Sequence, residues 1–276
     1  MSISAKQVMA LRQKTGLSMM ECKKALTETG GDEQAAIDFL QKKLKGKMET
    51  RTDRAAGEGR VAVAVGDGAA AIVELAAETD FTAKNDAFVN ATAQLAELAL
   101  AAGSGDIDPT DDMKKLVDEL RISTGENISI RRAAKVDGSG GARFGTYVHH
   151  DGKTGVLVHA EGAIDDETLK EVCLHITAAQ PRPQGVTRDD VPAEVIERER
   201  RLAKEMAMEQ GKPEEIAEKM VEGKVNKLYA ELALVEQPWI KDDSKSIGDL
   251  IGGATIAGFW RWGVGETAPE PAAVEG

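Results

Sequence analysis

The sequence predicts an α+β protein organised as several small units, and three observations lead to this prediction. The N-terminal part contains three short amphipathic helical patterns, each with its own start signal. A strand–turn–strand–helix order then occurs twice, with its two Asp-Gly turns 84 residues apart. Beyond Pro192, two long charged stretches keep the helical spacing of their apolar residues.

The three N-terminal helices are predicted from their caps and their apolar faces. Ser4 can cap the first helix, which should end before Gly16. Ser18 and Glu21 have the spacing of a capping box at the start of the second helix, and Asp32 can cap the third. The side chains expected to face inward are Val8, Leu11, Met19, Cys22, Leu26, Ala35, Ala36, Phe39 and Leu40.

A basic run follows the third helix. Lysines dominate residues 42–47, and Arg51 and Arg54 come shortly after them. No aromatic residue interleaves these charges, so we interpret the run as a solvated polar connector rather than a nucleic-acid site. Residues 1–54 carry a net charge of +4, whereas residues 55–187 carry −9.

The repeated strand–turn–strand–helix order predicts two related α+β lobes. In the first lobe the strands are expected at 60–65 and 70–76, with a helix from about Asp86 to Ala102. In the second lobe they are expected at 143–148 and 155–159, with a helix from about Asp165 to Ala178. A further strand is expected at 127–131, between the lobes.

The last third of the chain is predicted to form a projecting helical hairpin and a short C-terminal module. Ala193–Gln210 and Glu214–Val235 have helical periodicity, and Gly211-Lys212-Pro213 between them is typical helix punctuation. Trp239–Gly265 has β-like patterning. The predicted segments are therefore 1–54 (helical head and linker), 55–140 and 141–187 (lobes), 188–234 (hairpin), 235–265 (C-terminal module) and 266–276 (disordered tail).

Motifs for covalent or metal chemistry are weak in this sequence. His149, His150, His159 and His175 could be drawn as a metal site with Asp151, but their spacing favours turn and surface histidines. The glycines of 138–141 are not followed by a phosphate-binding lysine and helix. We therefore expect a protein that is not an enzyme and has no metal, no cofactor and no small-molecule substrate.

The two cysteines, Cys22 and Cys173, are too few for a disulfide framework and lack zinc-ligand spacing. Both lie on the apolar side of a helical pattern. We interpret them as packed, inert thiols.

One stretch, Glu78–Asn85, does not fit a core pattern. Phe81 lies among polar neighbours where the chain should turn between a strand and a helix. One interpretation is a hydrophobic staple, in which Phe81 folds back while Asp80 or Thr82 caps the helix. The other is an exposed aromatic wedge on a rigid lobe, available to a partner. The residues alone leave both open.

Four stretches of the chain carry a resemblance to a known family: Thr15-Gly16 with Met19–Leu26, Thr79–Asn85, Gly125–Arg132 and Gly211–Gly223. In these stretches the chain resembles the bacterial elongation factor Ts family, whose members exchange the nucleotide of elongation factor Tu. The resemblance covers residues 1 to about 265. Thr82 departs from the pattern, because the family usually has valine there.

The resemblance implies a ubiquitin-associated-like head, a two-lobed core, an antiparallel helical hairpin and a C-terminal module. It also implies one partner, elongation factor Tu, in its GDP-bound and nucleotide-free states. Thr79, Asp80, Phe81 and Thr82 would displace the partner's Mg²⁺, which releases GDP. Further contacts are implied for Ala83, Lys84, Asn85, Met19, Met20, Cys22 and Lys23.

Composition excludes other partner classes and leaves one alternative function. A net charge of −12 disfavours nucleic acid, and no apolar run has the length of a membrane span. The first seven residues carry no signal-peptide pattern, so we expect a cytoplasmic protein. The alternative is an adaptor that binds a GTPase, or another protein that presents a helix, without accelerating exchange.

Overall fold

The first three helices begin at residues whose side chains can cap them. The computed structural model describes residues 3–49, 54–211 and 213–266. Its first helices are α1 (Ala5–Thr15), α2 (Met19–Glu28) and α3 (Glu33–Glu49). Ser4 forms a capping box with Gln7 at α1, and Asp32 Oδ1 accepts from the Ala35 N–H at the start of α3. Both predicted caps are therefore confirmed.

The cap of α2 differs in one detail from the prediction. Ser18 Oγ accepts from the Glu21 N–H at 3.3 Å, as expected. The Glu21 carboxylate, however, accepts from the Ser18 hydroxyl at 2.9 Å, where a capping box would use the Ser18 backbone N–H. The Ser18 side chain therefore both accepts from the Glu21 backbone and donates to the Glu21 side chain.

Two predictions for the head need correction. The predicted connector is helical as far as Glu49, because α3 continues through the lysine-rich run, where most residues are strong helix formers. Lys42 and Lys43 of this run are exposed, as expected of a solvated segment. Arg51 lies outside the described residues. Met19 was expected to face inward, but it is 40% exposed. The buried head core consists of Val8, Leu11, Leu17, Cys22, Ala25, Leu26, Ala36 and Leu40.

A four-stranded sheet follows the head. Its strands are β1 (Glu58–Gly66), β2 (Ala69–Ala77), β3 (Gly105–Asp106) and β4 (Ser129–Asp137), in the order β1-β2-β4-β3. The predicted Asp67-Gly68 turn joins β1 to β2, and Gly68 adopts the positive φ of 71° that such a turn needs. β4 begins two residues later than predicted and is longer, because it pairs with β3 as well as β2.

Three helices accompany this sheet: α4 (Asp80–Ala83), α5 (Asp86–Leu100) and α6 (Asp111–Thr124). α5 was predicted, whereas α4 and α6 were not. The buried side chains Phe88, Leu95, Met113 and Val117 join the two longer helices to β2 in one core. Ile122 of α6 also packs against the head core, so α6 supports both the sheet and the head.

The second sheet is antiparallel and lies later in the chain. It consists of β5 (Arg143–Val148), β6 (Thr154–Glu161) and β9 (Thr255–Gly263), with β6 in the centre. Helix α7 (Asp166–Ala178) packs on it through Leu169, Val172, Cys173 and Ile176. Burial raises the pKa of the Cys173 thiol to about 12, so this cysteine stays protonated and unreactive, as predicted.

Two long helices and a short C-terminal region complete the described chain. Helices α8 (Ala193–Glu209) and α9 (Glu214–Leu232) share a small core through Ile196, Ala203, Val221 and Val225. The β-like patterning of 239–265 holds for β7 (Pro238–Trp239), β8 (Asp242–Ser246) and β9, but not for α10 (Ile247–Ile251). A capping box between Ser246 and Asp249 starts α10. The predicted disordered tail lies, from residue 267 on, outside the described residues.

Contacts divide the chain into two units. The first comprises residues up to 64 together with 71–135, and the second comprises 65–70 together with 136 onward. The finer division into six segments stays a prediction. Within the described residues, no helix combines the length and the apolarity needed to cross a membrane.

His175 links α7 to the segment after α9 inside the second unit. Its Nε2–H donates to Gln237 Oε1 at 2.9 Å, and its Nδ1 accepts from the Ile240 N–H at 3.3 Å. Gln237 Nε2 in turn donates to the Pro181 and Glu231 carbonyls. Burial lowers the pKa of His175, and the hydrogen bond to Gln237 opposes this only in part. The folded protein therefore holds a neutral imidazole.

We predict that stability falls as the pH is lowered below about 6.5, partly through His175. The unfolded chain protonates this histidine near its ordinary pKa while the folded chain resists, so the unfolded state binds more protons. In urea unfolding, His175→Gln should lose less stability between about pH 7.5 and about pH 5.5 than the wild type, by up to about 1 kcal/mol. His150→Gln, at an exposed position, is the matched control. Equal losses in all three proteins would contradict the prediction.

Candidate partner-binding loop

Residues 78–85, called the Phe81 loop below, connect β2 to α5 through the single turn of α4. Thr79 caps α4, because its Oγ1 accepts from the Thr82 N–H at 3.3 Å. Asn85 caps α5, because its Oδ1 accepts from the Ala87 N–H at 2.8 Å. Two caps within seven residues leave the backbone of the loop with few free donors, which holds a turn too short to persist alone.

Phe81 and Ala83 point to opposite sides of α4. Residues two apart on a helix differ by about 200° in direction. Ala83 is buried in the core beside Phe88, whereas Phe81 is 84% exposed, more than any other large hydrophobic side chain of the described residues. α4 thus buries the small side chains of Thr82 and Ala83 and directs the aromatic ring into solvent.

A set of hydrogen bonds, called the cross-tie below, joins the end of β2 to the residues before β4. The Glu126 carboxylate accepts from the Thr79 hydroxyl at 2.6 Å and from the Thr79 N–H at 3.1 Å. In the reverse direction, the Glu78 carboxylate accepts from the Asn127 N–H at 2.7 Å. Each segment therefore binds the backbone of the other, which fixes their mutual register.

Arg54 completes the cross-tie from the N-terminal side. Its guanidinium lies 3.3 Å from Glu78 Oε2, and its carbonyl accepts from Asn127 Nδ2 at 2.7 Å. The chain entering β1 is thereby attached to the same point. Three segments that are distant in sequence therefore meet at the start of the Phe81 loop.

Asp80 forms an ion pair on the outer surface of the loop. Its Oδ2 lies 2.6 Å from Lys84 Nζ, one helical turn along. Both side chains are well exposed, so the pair contributes little to stability. The pair places the Lys84 ammonium against the carboxylate of the residue that precedes Phe81.

The staple interpretation of Phe81 is wrong. The ring does not fold back, and the capping residues are Thr79 and Asn85 rather than Asp80 or Thr82. Thr82 is buried, so its side chain does not extend the exposed surface around Phe81.

Comparison with known proteins decides the family. The family model described as elongation factor TS matches residues 78–266, a span that begins at the Phe81 loop. Proteins named elongation factor Ts from Thioalkalivibrio sulfidiphilus, Pediococcus pentosaceus and Vibrio cholerae are each 41% identical to this chain. The alignments cover 96% of this chain and 93% of each relative. The chain belongs to the elongation factor Ts family.

A second exposed apolar group lies on the head of this elongation factor Ts family member. Met20 is 77% exposed, and Met19 and Lys23 are exposed beside it on α2. Cys22, which the resemblance had implied as a contact, is fully buried, with Sγ 3.6 Å from Thr15 Oγ1. Cys22 therefore supports α2 from the inside and offers no side-chain surface to a partner.

The histidines do not assemble into a site. His149 and His150 lie side by side after β5, with ring centroids 4.3 Å apart, and His159 stacks on Phe144. His175 is engaged with Gln237. Within the described ranges, no group of three or more His, Cys, Asp or Glu side chains is arranged to hold a metal ion.

Sequence reasoning identified every residue of the Phe81 loop but missed the residues that hold it. Glu126 and Asn127 belong to a stretch that carries the family resemblance, but the sequence pattern there predicts only a strand at 127–131. The available signal was the sequence Gly125-Glu-Asn shortly before β4, together with Glu78 directly after β2. These positions are neighbours because β2 and β4 are adjacent, and this adjacency can be inferred only when the sheet order is known.

We predict that Asn85→Ala lowers the free energy of unfolding by about 1 kcal/mol, because α5 loses its N-cap. Asn85→Asp keeps an oxygen acceptor and should retain most of the stability. Urea unfolding followed by circular dichroism measures both changes. If Asn85→Ala and Asn85→Asp were equally stable, the capping bond would contribute nothing.

Proposed function

We propose that this chain is the guanine nucleotide exchange factor of elongation factor Tu. It binds the GDP-bound partner in the cytoplasm, promotes release of GDP and stays on the nucleotide-free partner until GTP enters. The observation that carries the proposal is the exposed Phe81 ring, held on a capped and cross-tied turn. Membership of the elongation factor Ts family supports the same activity and the same partner.

The exchange needs no covalent chemistry from this chain. In such GTPases, Mg²⁺ and backbone amides hold the phosphates of the nucleotide. A side chain that displaces the elements around the metal removes part of that attraction. By thermodynamic linkage, exchange factor and nucleotide weaken each other's binding by the same factor, so GDP leaves faster and GTP later releases the factor.

Phe81 is the apolar anchor of this wedge. Burying a phenylalanine side chain contributes about 1.5–3 kcal/mol, which is available to offset the displaced contacts around the metal. The ring is preorganised, because α4 is capped by Thr79 and anchored by Ala83 before the partner arrives. Little ordering entropy is then lost on binding.

Asp80 supplies the electrostatic part of the wedge. Asp80 directly precedes Phe81 in the chain, and its carboxylate is paired with Lys84. Beside the phosphates of a bound nucleotide, this negative charge is repelled, which disfavours retention of GDP. Lys84 limits the repulsion during the approach of the two proteins.

The head and the later segments supply affinity rather than displacement. The ubiquitin-associated-like head presents Met19, Met20 and Lys23 to a helix of the partner's nucleotide-binding domain. Methionine side chains are flexible and unbranched, so they can adapt their shape to an apolar helix face. The second lobe and the C-terminal module hold a neighbouring β-domain, and the antiparallel hairpin of α8 and α9 projects from the core.

We predict that Phe81→Ala slows the maximal GDP release from elongation factor Tu by about 10- to 100-fold. The ring is exposed, so the variant should stay within about 0.5 kcal/mol of wild-type stability. Stopped-flow fluorescence with labelled GDP measures the release, and urea unfolding measures the stability.

Val65→Ala is the matched control for Phe81→Ala, because Val65 is also an exposed apolar side chain but lies at the β1–β2 turn. It should release GDP at the wild-type rate. Release by Phe81→Ala at the wild-type rate would refute the wedge. A wild-type protein that binds elongation factor Tu without accelerating release would be an adaptor instead.

We predict a different kinetic signature for Met20→Ala. A contact made equally before and during exchange changes the half-saturating concentration and leaves the maximal rate unchanged. Met20→Ala should therefore raise the half-saturating concentration several-fold at an unaltered maximal rate. Met208→Ala, an exposed methionine near the end of α8, is the control. A lowered maximal rate in Met20→Ala would place this residue with the wedge instead.

A further inference from the structure

The geometry points to Glu126 as a positioning residue for Phe81, acting through Thr79. This inference rests on the proposed exchange activity and deepens it. Glu126 is distant from Phe81 in sequence and does not lie on the exposed face of α4. Its effect on exchange would pass through the direction in which α4 holds the ring.

The Thr79 hydroxyl is the relay between Glu126 and α4. A hydroxyl has one proton to donate and can accept on its lone pairs. The Thr79 hydroxyl donates this hydrogen bond to the Glu126 carboxylate at 2.6 Å, so the lone pairs of Oγ1 remain to accept from the Thr82 N–H at 3.3 Å. One carboxylate therefore orients the N-cap of the turn that carries Phe81.

Glu126 also fixes the backbone at the point where α4 begins. Its second oxygen accepts from the Thr79 N–H at 3.1 Å. Hydrogen bonds to a charged acceptor are stronger than neutral ones, and here two of them converge on one residue. A rotation of Thr79 would break both bonds, so the entry angle of α4 is held against rotation.

The remaining cross-tie keeps Glu126 in place. Glu78 binds the Asn127 N–H, and Asn127 Nδ2 binds the Arg54 carbonyl. The residue that follows Glu126 is thus attached through both its backbone and its side chain. A fixed carboxylate can position Thr79, whereas a carboxylate on a mobile segment would follow it.

α4 has little other means of holding its direction. A single helical turn is unstable by itself, because its nucleation cost is not repaid by further hydrogen bonds. On its buried side, the turn is anchored by two small side chains, those of Thr82 and Ala83. Loss of the relay should therefore let Phe81 turn away from its docking direction while the lobe stays folded.

The test is a double-mutant cycle on the full-length chain. Single variants Glu126→Ala and Phe81→Ala and the double variant are compared in maximal GDP release and in half-saturating concentration. Glu126→Ala should lower the maximal rate about tenfold and leave the half-saturating concentration near the wild-type value. A small misplacement of Phe81 weakens a contact that is made only in the exchange step, so it slows this step rather than the initial binding.

The double variant distinguishes positioning from general stabilisation. If Glu126 acts through Phe81, the double variant should release GDP no more slowly than Phe81→Ala alone. Additive losses would overturn the inference, because they would mean that Glu126 acts independently of the ring. Glu126→Gln keeps one oxygen acceptor for Thr79 and should restore part of the rate.

Two further variants keep the outcome interpretable. Thr79→Val removes the relay hydroxyl at nearly constant shape and should cause the same loss of maximal rate. It replaces Glu126→Ala in the test if that variant fails to fold. Glu97→Ala, on an exposed site of α5, should keep the wild-type rate. Wild-type rates in both Glu126→Ala and Thr79→Val would overturn the positioning role while leaving the exchange activity intact. If the wild type itself did not accelerate release, the exchange function would fail instead.

Discussion

The arrangement of the Phe81 loop depends on the exchange of hydrogen bonds between Glu78-Thr79 and Glu126-Asn127. Each pair places a carboxylate on the backbone of the other. The two segments are neighbours because β2 and β4 are neighbours in the sheet. The cross-tie therefore transfers the rigidity of the sheet to a turn of only four residues, which has little stability of its own.

The few aromatic residues of the first unit are used in two different ways, one in the core and one on the surface. The chain has ten aromatic residues, and the core of the first unit uses mainly aliphatic side chains around one buried ring, Phe88. Phe81 lies seven residues earlier and remains in solvent. An exposed ring gives up the burial energy it could have added to the fold. That energy stays available for a partner, and the folded structure does not depend on the ring.

Locally encoded features were predicted well. The caps at Ser4 and Asp32, the β1–β2 turn, α5 and α7 all follow from signals within a few residues of one another. The errors have physical reasons as well. The lysine-rich run continues α3 because a polar composition does not oppose helix formation, and α10 is a short turn inside a β-like region. α6 carried a readable signal in Thr110, Met113, Val117 and Gly125 that was not used.

The sequence by itself determined which residues form the Phe81 loop, and through its motifs it determined the family. It left open whether Phe81 folds inward or outward, since both conformations satisfy the local pattern. Tertiary structure decided this, because Ala83 enters the core and Glu126 binds Thr79 across 47 positions of the chain. Caps and periodicity act over a few residues, whereas this hydrogen bond exists only after the sheet has brought two distant segments together.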